Sequence, residues 1–327
     1  MPFNILSLSG GGYLGLYSAA VLAELEATAP HPIAESFDLI AGTSVGGIIA
    51  LGLAAGTPAA TIRDAFLDRG AEIFSDRPPP RTGIGEKLEL FSNANSAKYR
   101  QQPLRETIEA IVGAERTLGD LHTPVIIPAV NLTKGQPQVF KTAHHETFVR
   151  DWRLKILDVA LATSAAPTYF PIHRIGGEMF ADGGLYANSP DLLAIHEAEH
   201  FLKQPIGEIS LVSIGTTTSK FSFSNAVGED LGWMAWMAGQ RLTSTMIASQ
   251  QLSVDYMMRH RLGAAYLRID QIQSKEQERQ LRLDSASPAA KNDLLGLAEA
   301  SAREVLPNPT LREMLAHRAA PARFYHK

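Results

Sequence analysis

The sequence of 327 residues contains no cysteine. Disulfide bonds, thiolate nucleophiles and cysteine-ligated metal sites are therefore excluded. The absence is also compatible with folding in a reducing compartment. Stability has to come from a hydrophobic core, and a chain of this length can bury a large one.

The sequence also lacks a basic excess and a long uncharged apolar run. Lys and Arg total 30 against 34 Asp and Glu, so the net charge of −4 argues against a protein that binds DNA. The most apolar window, residues 37–55, contains Asp38 and the polar pair Thr43-Ser44, which is untypical of a membrane span. The N-terminal residues show no basic region and no small-residue cleavage site. We expect a soluble, cytoplasmic protein.

Strand-like and helix-like segments alternate along the first half of the chain. Apolar runs at 3–9, 37–41, 124–130 and 209–214 predict strands, and the helical patterns between them predict an α/β sheet with helices on its faces. No internal repeat or long linker divides the chain. We therefore expect one domain over residues 1–306, followed by a polar C-terminal tail over residues 307–327.

Residues 76–99 interrupt this alternation with three consecutive prolines, Pro78 to Pro80, and with scattered glycines. Such a composition predicts a surface loop. A mobile flap over an active site is the alternative.

Gly42-Thr43-Ser44-Val45-Gly46 fits the pattern G-x-S-x-G between a predicted strand and a predicted helix. This context is what a nucleophile elbow requires, because the strained turn lifts the serine hydroxyl clear of the sheet edge. Ser44 is therefore the candidate nucleophile. The alternative is a buried turn of small residues that only permits close packing.

Residues 10–15, Gly-Gly-Gly-Tyr-Leu-Gly, also satisfy the dinucleotide-binding pattern G-x-G-x-x-G. That function requires an acidic residue at the end of the second strand to hold the ribose, but the second strand ends in Ala41 and Gly42. Consecutive glycine N–H groups at a helix start would instead bind the oxyanion of a tetrahedral acyl intermediate. Gly11 and Gly12 are the expected donors.

A serine nucleophile needs a base, and the sequence offers two kinds. Asp182 follows an apolar run and precedes two glycines, so a carboxylate could take the proton directly if its pocket is partly desolvated. An Asp-Gly turn of purely structural use is the alternative. A histidine could serve instead, and the candidates are His173, His196, His200 and His260.

His196 and His200 also stand four residues apart, with Glu197 directly after the first of them. This spacing imitates a zinc signature. No third ligand is indicated, and a solvated helix face explains the pattern equally well, so we predict neither a metal nor a cofactor.

Taken together, these segments resemble the patatin-like phospholipase family. The resemblance rests on the glycine loop at 10–15, the elbow at 42–46, Ala162 to Phe170, and Asp182-Gly183-Gly184 with Asn188. It extends over about residues 3–306 and implies a single three-layer domain with a mostly parallel central sheet. It further implies a Ser44–Asp182 dyad without histidine, an oxyanion hole formed by Gly10, Gly11 and Gly12, and hydrolysis of lipid acyl esters. Leu14 departs from the family pattern, in which many members carry Arg or Lys.

Within the family, residues 139–145 and 151–153 look like those of bacterial effectors of antiphage signalling. That resemblance implies hydrolysis of membrane phospholipids at the inner membrane surface, activation by a cyclic oligonucleotide, and a possible oligomer on activation. Basic residues around the proline-rich segment could meet the ligand phosphates or could simply be solvated; they are Arg77, Arg81, Lys98 and Arg100.

Two other function classes stay open at this point. One is an esterase or thioesterase for soluble substrates, and the other is a non-catalytic module that binds lipid or nucleotide. Residues 232–237, Gly-Trp-Met-Ala-Trp-Met, form a segment that could contact lipid or pack in the core.

Overall fold

The computed structural model describes residues 2–75, 96–217, 230–232, 235–236 and 241–327. Several predictions lie outside these residues. They are the proline-rich segment with Arg77 and Arg81, and the lipid-contact proposal for Trp233, Met234 and Met237.

The described residues form strands and helices in the alternating order that the sequence predicts. The strands are β1 Phe3–Leu8, β2 Leu39–Gly42, β3 Val125–Asn131, β4 Gln136–Lys141, β5 His173–Ile175, β6 Glu178–Asp182, β7 Ile209–Ile214 and β8 Tyr266–Ile269. The helices are α1 Gly15–Glu26, α2 Val45–Ala54, α3 Ala59–Ile73, α4 Gln101–Val112, α5 Ile156–Thr163, α6 Gly184–Ala187, α7 Asp191–His196, α8 Arg241–Leu262, α9 Pro288–Val305 and α10 Pro309–Ala316. Residues Glu197–Phe201 extend α7 as a π-helical turn.

The strands form one mixed sheet in the order β5-β6-β3-β2-β1-β7-β8, with β4 pairing to β3. Strands β3, β2, β1, β7 and β8 are parallel, which confirms a mostly parallel centre. β4, β5 and β6 add an antiparallel part at one side. Of these three strands, the sequence indicates only β4, from the run Gln138 to Lys141, and it does not indicate the direction of pairing.

Alternate side chains of the central strands enter two different cores. Leu6 and Leu8 of β1 belong to the larger core, whereas Phe3 and Ile5 belong to the smaller one on the other face. The helices covering the larger core are α1, α2, α3, α4, α5, α9 and α10, and those covering the smaller core are α7 and α8. Two helical layers with a sheet between them confirm the predicted three-layer α/β fold.

The C-terminal segment is more than a polar tail. Leu311, Met314 and Leu315 of α10 are buried in the larger core, and the Asn4 side chain donates a hydrogen bond to the Met314 carbonyl. Further along, the Tyr325 N–H donates to the Ala143 carbonyl. The packing therefore does not separate residues 1–306 from the segment that follows, because the apolar residues on one face of α10 are part of the larger core.

Candidate active site

The Gly42–Gly46 turn joins the end of β2 directly to the start of α2. Ser44 has φ 55° and ψ −126°, a conformation that costs a non-glycine residue on the order of 1–3 kcal/mol. An added Cβ at Gly42 would lie against the Gly46 carbonyl, and one at Gly46 against the Leu8 carbonyl. The two glycines therefore allow the backbone to approach closely enough for this turn, and the turn has the geometry of a nucleophile elbow.

The backbone of the elbow is held by Thr163, the last residue of α5. The Ser44 N–H donates to Thr163 Oγ1 at 3.0 Å, and the Thr163 hydroxyl donates to the Pro128 carbonyl at 2.6 Å. Because Pro128 lies in β3, this side chain ties the elbow to the neighbouring strand. Thr163, the second residue of the Ala162 to Phe170 motif, thus supports the candidate nucleophile.

The sheet topology explains why Asp182 lies near Ser44 although 138 positions separate them in the sequence. β4 pairs along Ile126 to Asn131 of β3 and so occupies one edge of that strand. β2 and β6 must therefore share the other edge, β2 at its start and β6 from Ala129 onward. The chain leaves this edge in the elbow after β2, and β6 ends there at Asp182.

Asp182 is 6% exposed and accepts a hydrogen bond from the Gly184 N–H at 2.6 Å. Burial raises the pKa of Asp182 to about 6, while the Gly184 N–H and the nearby Ser44 hydroxyl lower it. Among the described residues, no cation contributes to this balance. The carboxylate is therefore a stronger base than a solvated aspartate, and it lies near the hydroxyl it would deprotonate.

The glycine loop lies beside Ser44, but its three N–H groups are not equivalent. The Gly10 N–H donates to the Asn188 carbonyl at 2.9 Å, so it is already engaged. Among the described residues, the N–H groups of Gly11 and Gly12 have no acceptor, and both residues line the same cavity as Ser44 and Asp182. The candidate oxyanion donors are therefore the N–H groups of Gly11 and Gly12. The Gly10 N–H instead holds the loop to Asn188. Leu14 is buried behind the loop.

A cavity of about 130 Å³ opens onto the dyad. Its walls are mainly aliphatic and aromatic; they include Val45, Ile48, Phe66, Ile73, Phe74, Leu104, Tyr169, Phe170, Leu185, Met246, Ile247 and Leu283. Such a cavity suits a hydrocarbon chain better than a charged or highly polar substrate.

Comparison with known proteins agrees with this geometry. Residues 6–195 match the family described as patatin-like phospholipase. This chain belongs to that family. The predictions of family and of enzyme class, a lipid acyl hydrolase, are thereby confirmed, and the dinucleotide-binding and non-catalytic alternatives lose their support.

Three bacterial relatives within the patatin-like phospholipase family match most of the chain, and each is named cGAMP-activated phospholipase. The protein from Pseudomonas aeruginosa is 42% identical over 99% of this chain and 95% of its own length. Those from Escherichia coli and Vibrio cholerae are 38% and 37% identical, each over 89% of this chain and over 86% and 88% of their own lengths. The narrower resemblance to cyclic-nucleotide-activated members is confirmed by these matches.

None of the described residues that line the cavity of this patatin-like protein is a histidine. His173 is buried and bonds Asp158 at 3.2 Å, whereas His260 lies exposed on α8 and bonds the Tyr256 carbonyl. His196 and His200 are exposed and stack on each other at 5.2 Å. The structure therefore does not bring any of these four candidates to Ser44.

Glu197 does not complete a zinc site with the two stacked histidines. Its carboxylate is buried and accepts hydrogen bonds from Lys141 Nζ at 2.5 Å and from His144 Nε2 at 3.0 Å. Within the described ranges, no group of three or more potential ligands could hold a metal ion. The residues of the narrower resemblance around Lys141 and His144 thus form a buried polar cluster, which lies outside the cavity lining.

The described basic residues near the proline-rich segment differ in their surroundings. Lys98 forms an ion pair with the buried Asp284 at 2.7 Å, whereas Arg100 is exposed. In the part of the chain that the structure describes, no helix is long and apolar enough to cross a membrane.

Sequence reasoning missed one residue that contacts this site. Gln250 of α8 bonds the backbone of Tyr186 and Asn188, four and six residues after the candidate base Asp182. No local signal marks it, because it lies in a helix whose polar residues resemble those of any exposed helical face.

Proposed function

We propose that this chain hydrolyses acyl esters of membrane phospholipids with Ser44 as nucleophile and Asp182 as base, and that a cyclic dinucleotide of the cGAMP type activates it. The observation that carries the proposal is that Ser44, at a strained strand-to-helix turn, lines the same cavity as the buried Asp182 carboxylate, to which no cation among the described residues contributes. A carboxylate in that position can accept a proton near neutral pH, since its pKa is about 6.

The first half of the reaction uses groups that already lie together. Ser44 Oγ attacks the ester carbonyl carbon while its proton passes to Asp182. The carbonyl oxygen becomes an oxyanion, which the N–H groups of Gly11 and Gly12 stabilise; one such donor is typically worth about 10²–10³ in turnover. When the intermediate collapses, the alcohol, a lysophospholipid, leaves with the proton from Asp182, and the acyl group stays on Ser44.

The second half repeats these steps with water. Asp182 takes a proton from the water molecule, which attacks the acyl carbon, and the oxyanion again forms beside Gly11 and Gly12. Ser44 is then released with the proton from Asp182, and a fatty acid leaves. One carboxylate therefore serves both half-reactions as base and then as acid.

The cavity supports a lipid rather than a short soluble ester as the substrate. Its apolar walls continue to the surface at Leu185 and Met246, which line the cavity although 41% and 44% of each side chain is exposed. An acyl chain could therefore move from a bilayer to Ser44 with little exposure to water. Exposed apolar side chains at such a mouth are typical of a surface that meets lipid.

Activation by a cyclic dinucleotide rests on the relatives, whose names describe it and whose sequences match along nearly their whole length. It also has a physiological reason, because a phospholipase active at all times in the cytoplasm would attack the membrane of its own cell. A ligand can activate the enzyme only if it binds the active arrangement better than the resting one.

The test uses the full chain and vesicles of phosphatidylethanolamine and phosphatidylglycerol, with released fatty acid measured by mass spectrometry. We expect release only with cGAMP, and we expect Ser44→Ala to lower it by at least about 10³-fold. Ser253→Ala, an exposed serine of α8, is the matched control and should match wild type.

Two results would refute parts of the proposal separately. Equal hydrolysis with and without cGAMP, and with other cyclic dinucleotides and trinucleotides, would leave a constitutive lipase. Hydrolysis retained in Ser44→Ala would remove the dyad.

A further inference from the structure

A single side chain of α8 bonds two backbone groups of the turn that follows the base. Gln250 Oε1 accepts a hydrogen bond from the Asn188 N–H at 2.7 Å, and Gln250 Nε2 donates to the Tyr186 carbonyl. The amide is half-buried. It therefore satisfies a donor and an acceptor of the segment Gly184 to Asn188, which we call the 184–188 turn.

The 184–188 turn contacts each of the three parts of the candidate site. It begins with Gly184, whose N–H binds the Asp182 carboxylate. The Ala187 carbonyl accepts a 2.6 Å hydrogen bond from Thr43, next to the nucleophile. Asn188 bonds Gly10 twice, accepting from its N–H and donating through Nδ2 to its carbonyl at 3.2 Å. A shift of this turn would thus move the base, the elbow and the glycine loop together.

Helix α8 is well placed to hold this turn. Val254 and Met258, in its C-terminal half, are buried in the smaller core. Thr243, Met246 and Ile247, in its N-terminal half, line the cavity. Gln250 lies between the anchored half and the half that faces the cavity, so its bonds transmit the position of the helix to the turn.

The chemistry of the contact requires a primary amide. Glutamine presents an acceptor and a donor at the same distance from the helix, matching one N–H and one carbonyl. Methionine has a similar length but can satisfy neither group. An ionised glutamate accepts from the Asn188 N–H but repels the Tyr186 carbonyl, whereas a protonated glutamate can bond both.

From this arrangement we infer that Gln250 is a positioning residue: it holds the 184–188 turn where Asp182 and the glycine loop match the transition state, and it couples α8 to the catalytic centre. The inference rests on the proposed function, because it assigns Gln250 a part in Ser44–Asp182 chemistry. It also makes α8 the element through which a displacement elsewhere in the molecule would reach the dyad.

The experiment measures kcat and KM with a soluble p-nitrophenyl ester at saturating cGAMP, for wild type, Gln250→Met, Gln250→Glu and the control Ser249→Ala. Ser249 is exposed on the same helix and bonds only carbonyls of that helix. Leaving two backbone groups unpaired should lower kcat of Gln250→Met about 10- to 100-fold with KM changed less than about twofold. Ser249→Ala should equal wild type.

A pH series separates positioning from a purely structural contribution. Asp182 titrates in every variant, so each rate is divided by the wild-type rate at the same pH. The Gln250→Glu ratio should rise about fivefold or more between pH 8 and pH 4.5, because a glutamate with the ordinary pKa of about 4.3 is then about four-tenths protonated and regains the missing donor. The Gln250→Met ratio should stay constant over this range.

The inference is overturned if both Gln250 variants keep kcat within about twofold of wild type, or if the loss appears only in KM. It is also overturned if Gln250→Glu shows the same flat ratio as Gln250→Met. Gln250→Glu decides the question alone if Gln250→Met does not fold. Activity retained in Ser44→Ala would instead indicate failure of the proposed function, whereas an inactive Ser44→Ala with fully active Gln250 variants refutes only this inference.

Discussion

Asp182 and Glu197 are both buried carboxylates, with 6% and 2% of the residue exposed, but their partners differ. Asp182 accepts a bond from the Gly184 N–H and lies near the Ser44 hydroxyl, and both groups are neutral. Glu197 contacts the Lys141 ammonium and the His144 ring, and Lys141 also lies 4.5 Å and 4.3 Å from the ring centres of Phe148 and Phe201.

The two pKa values move in opposite directions as a result. Burial raises the pKa of Asp182 to about 6, since no cation of the described residues compensates for desolvation. Burial acts in the same sense on Glu197, but the hydrogen bond from His144 and the charge of Lys141 outweigh it and lower the pKa. The lack of a cation among the described neighbours, and not burial alone, therefore distinguishes a carboxylate suited to proton transfer from one that holds structure.

The largest expected effect concerns the unpaired carboxylate. Asp182→Asn should lower turnover by about 10³-fold or more, because the amide keeps the shape but cannot accept the serine proton. Asp64→Asn, at a surface carboxylate that pairs with Arg63, is the matched control and should leave turnover unchanged. Fatty-acid release from vesicles measures both. Near-normal turnover in Asp182→Asn would place the base elsewhere.

The next effect concerns the paired carboxylate, and it should appear in stability and not in catalysis. Lys141→Met should lower the free energy of unfolding by about 3 kcal/mol, since it leaves Glu197 buried without its cation. The double variant Lys141→Met/Glu197→Gln should recover much of the loss. Urea unfolding checks this, with the kcat of the folded fraction as control. A kcat that falls with unchanged stability would contradict the contrast between the two sites.

A smaller effect of opposite sign is expected for Asp182→Asn. The folded-state pKa of about 6 lies above the reference value of 3.8, so the folded protein binds the proton more tightly and loses stability as the pH rises from about 4 to 6. Above that window the carboxylate costs at most about 3 kcal/mol, which the neutral amide avoids. Asp182→Asn should therefore unfold at a higher urea concentration than wild type at pH 8, with the difference vanishing near pH 4. A variant less stable than wild type at pH 8 would contradict this.

The elements that carry the chemistry could be predicted because each is local. The elbow needs only a strand, a small-residue turn and a helix, and residues 37–54 contain all three in order. Strand β7 coincides with its predicted run Ile209 to Ile214, since a parallel strand buried on both faces is apolar throughout. The family resemblance then joined Ser44 to Asp182, which no local pattern could do.

The remaining features depend on contacts between distant residues. β2 and β6 share one edge of β3 because β4, β5 and β6 form an antiparallel part of the sheet. No local sequence pattern determines which strands pair there. The bonds of Gln250 to the 184–188 turn are equally invisible in sequence. Helix α10 is predictable from the sequence, because Asn308 and Pro309 form a helix start and Leu311, Met314 and Leu315 follow with helical spacing. The many polar residues around these positions favour a tail instead and hide the helix.

The measurement that tests the central claim most directly is the pH dependence of Ser44 acylation in wild type and Asp182→Asn. It uses single-turnover kinetics with a chromogenic ester and cGAMP. Since the base must be ionised, the wild-type rate should rise through one ionisation near pH 6 and stay constant above it. The residual acylation in Asp182→Asn should lack that ionisation. The same step near pH 6–7 persisting in Asp182→Asn would mean that another group, such as a histidine, is the base, and the Ser44–Asp182 dyad would be wrong.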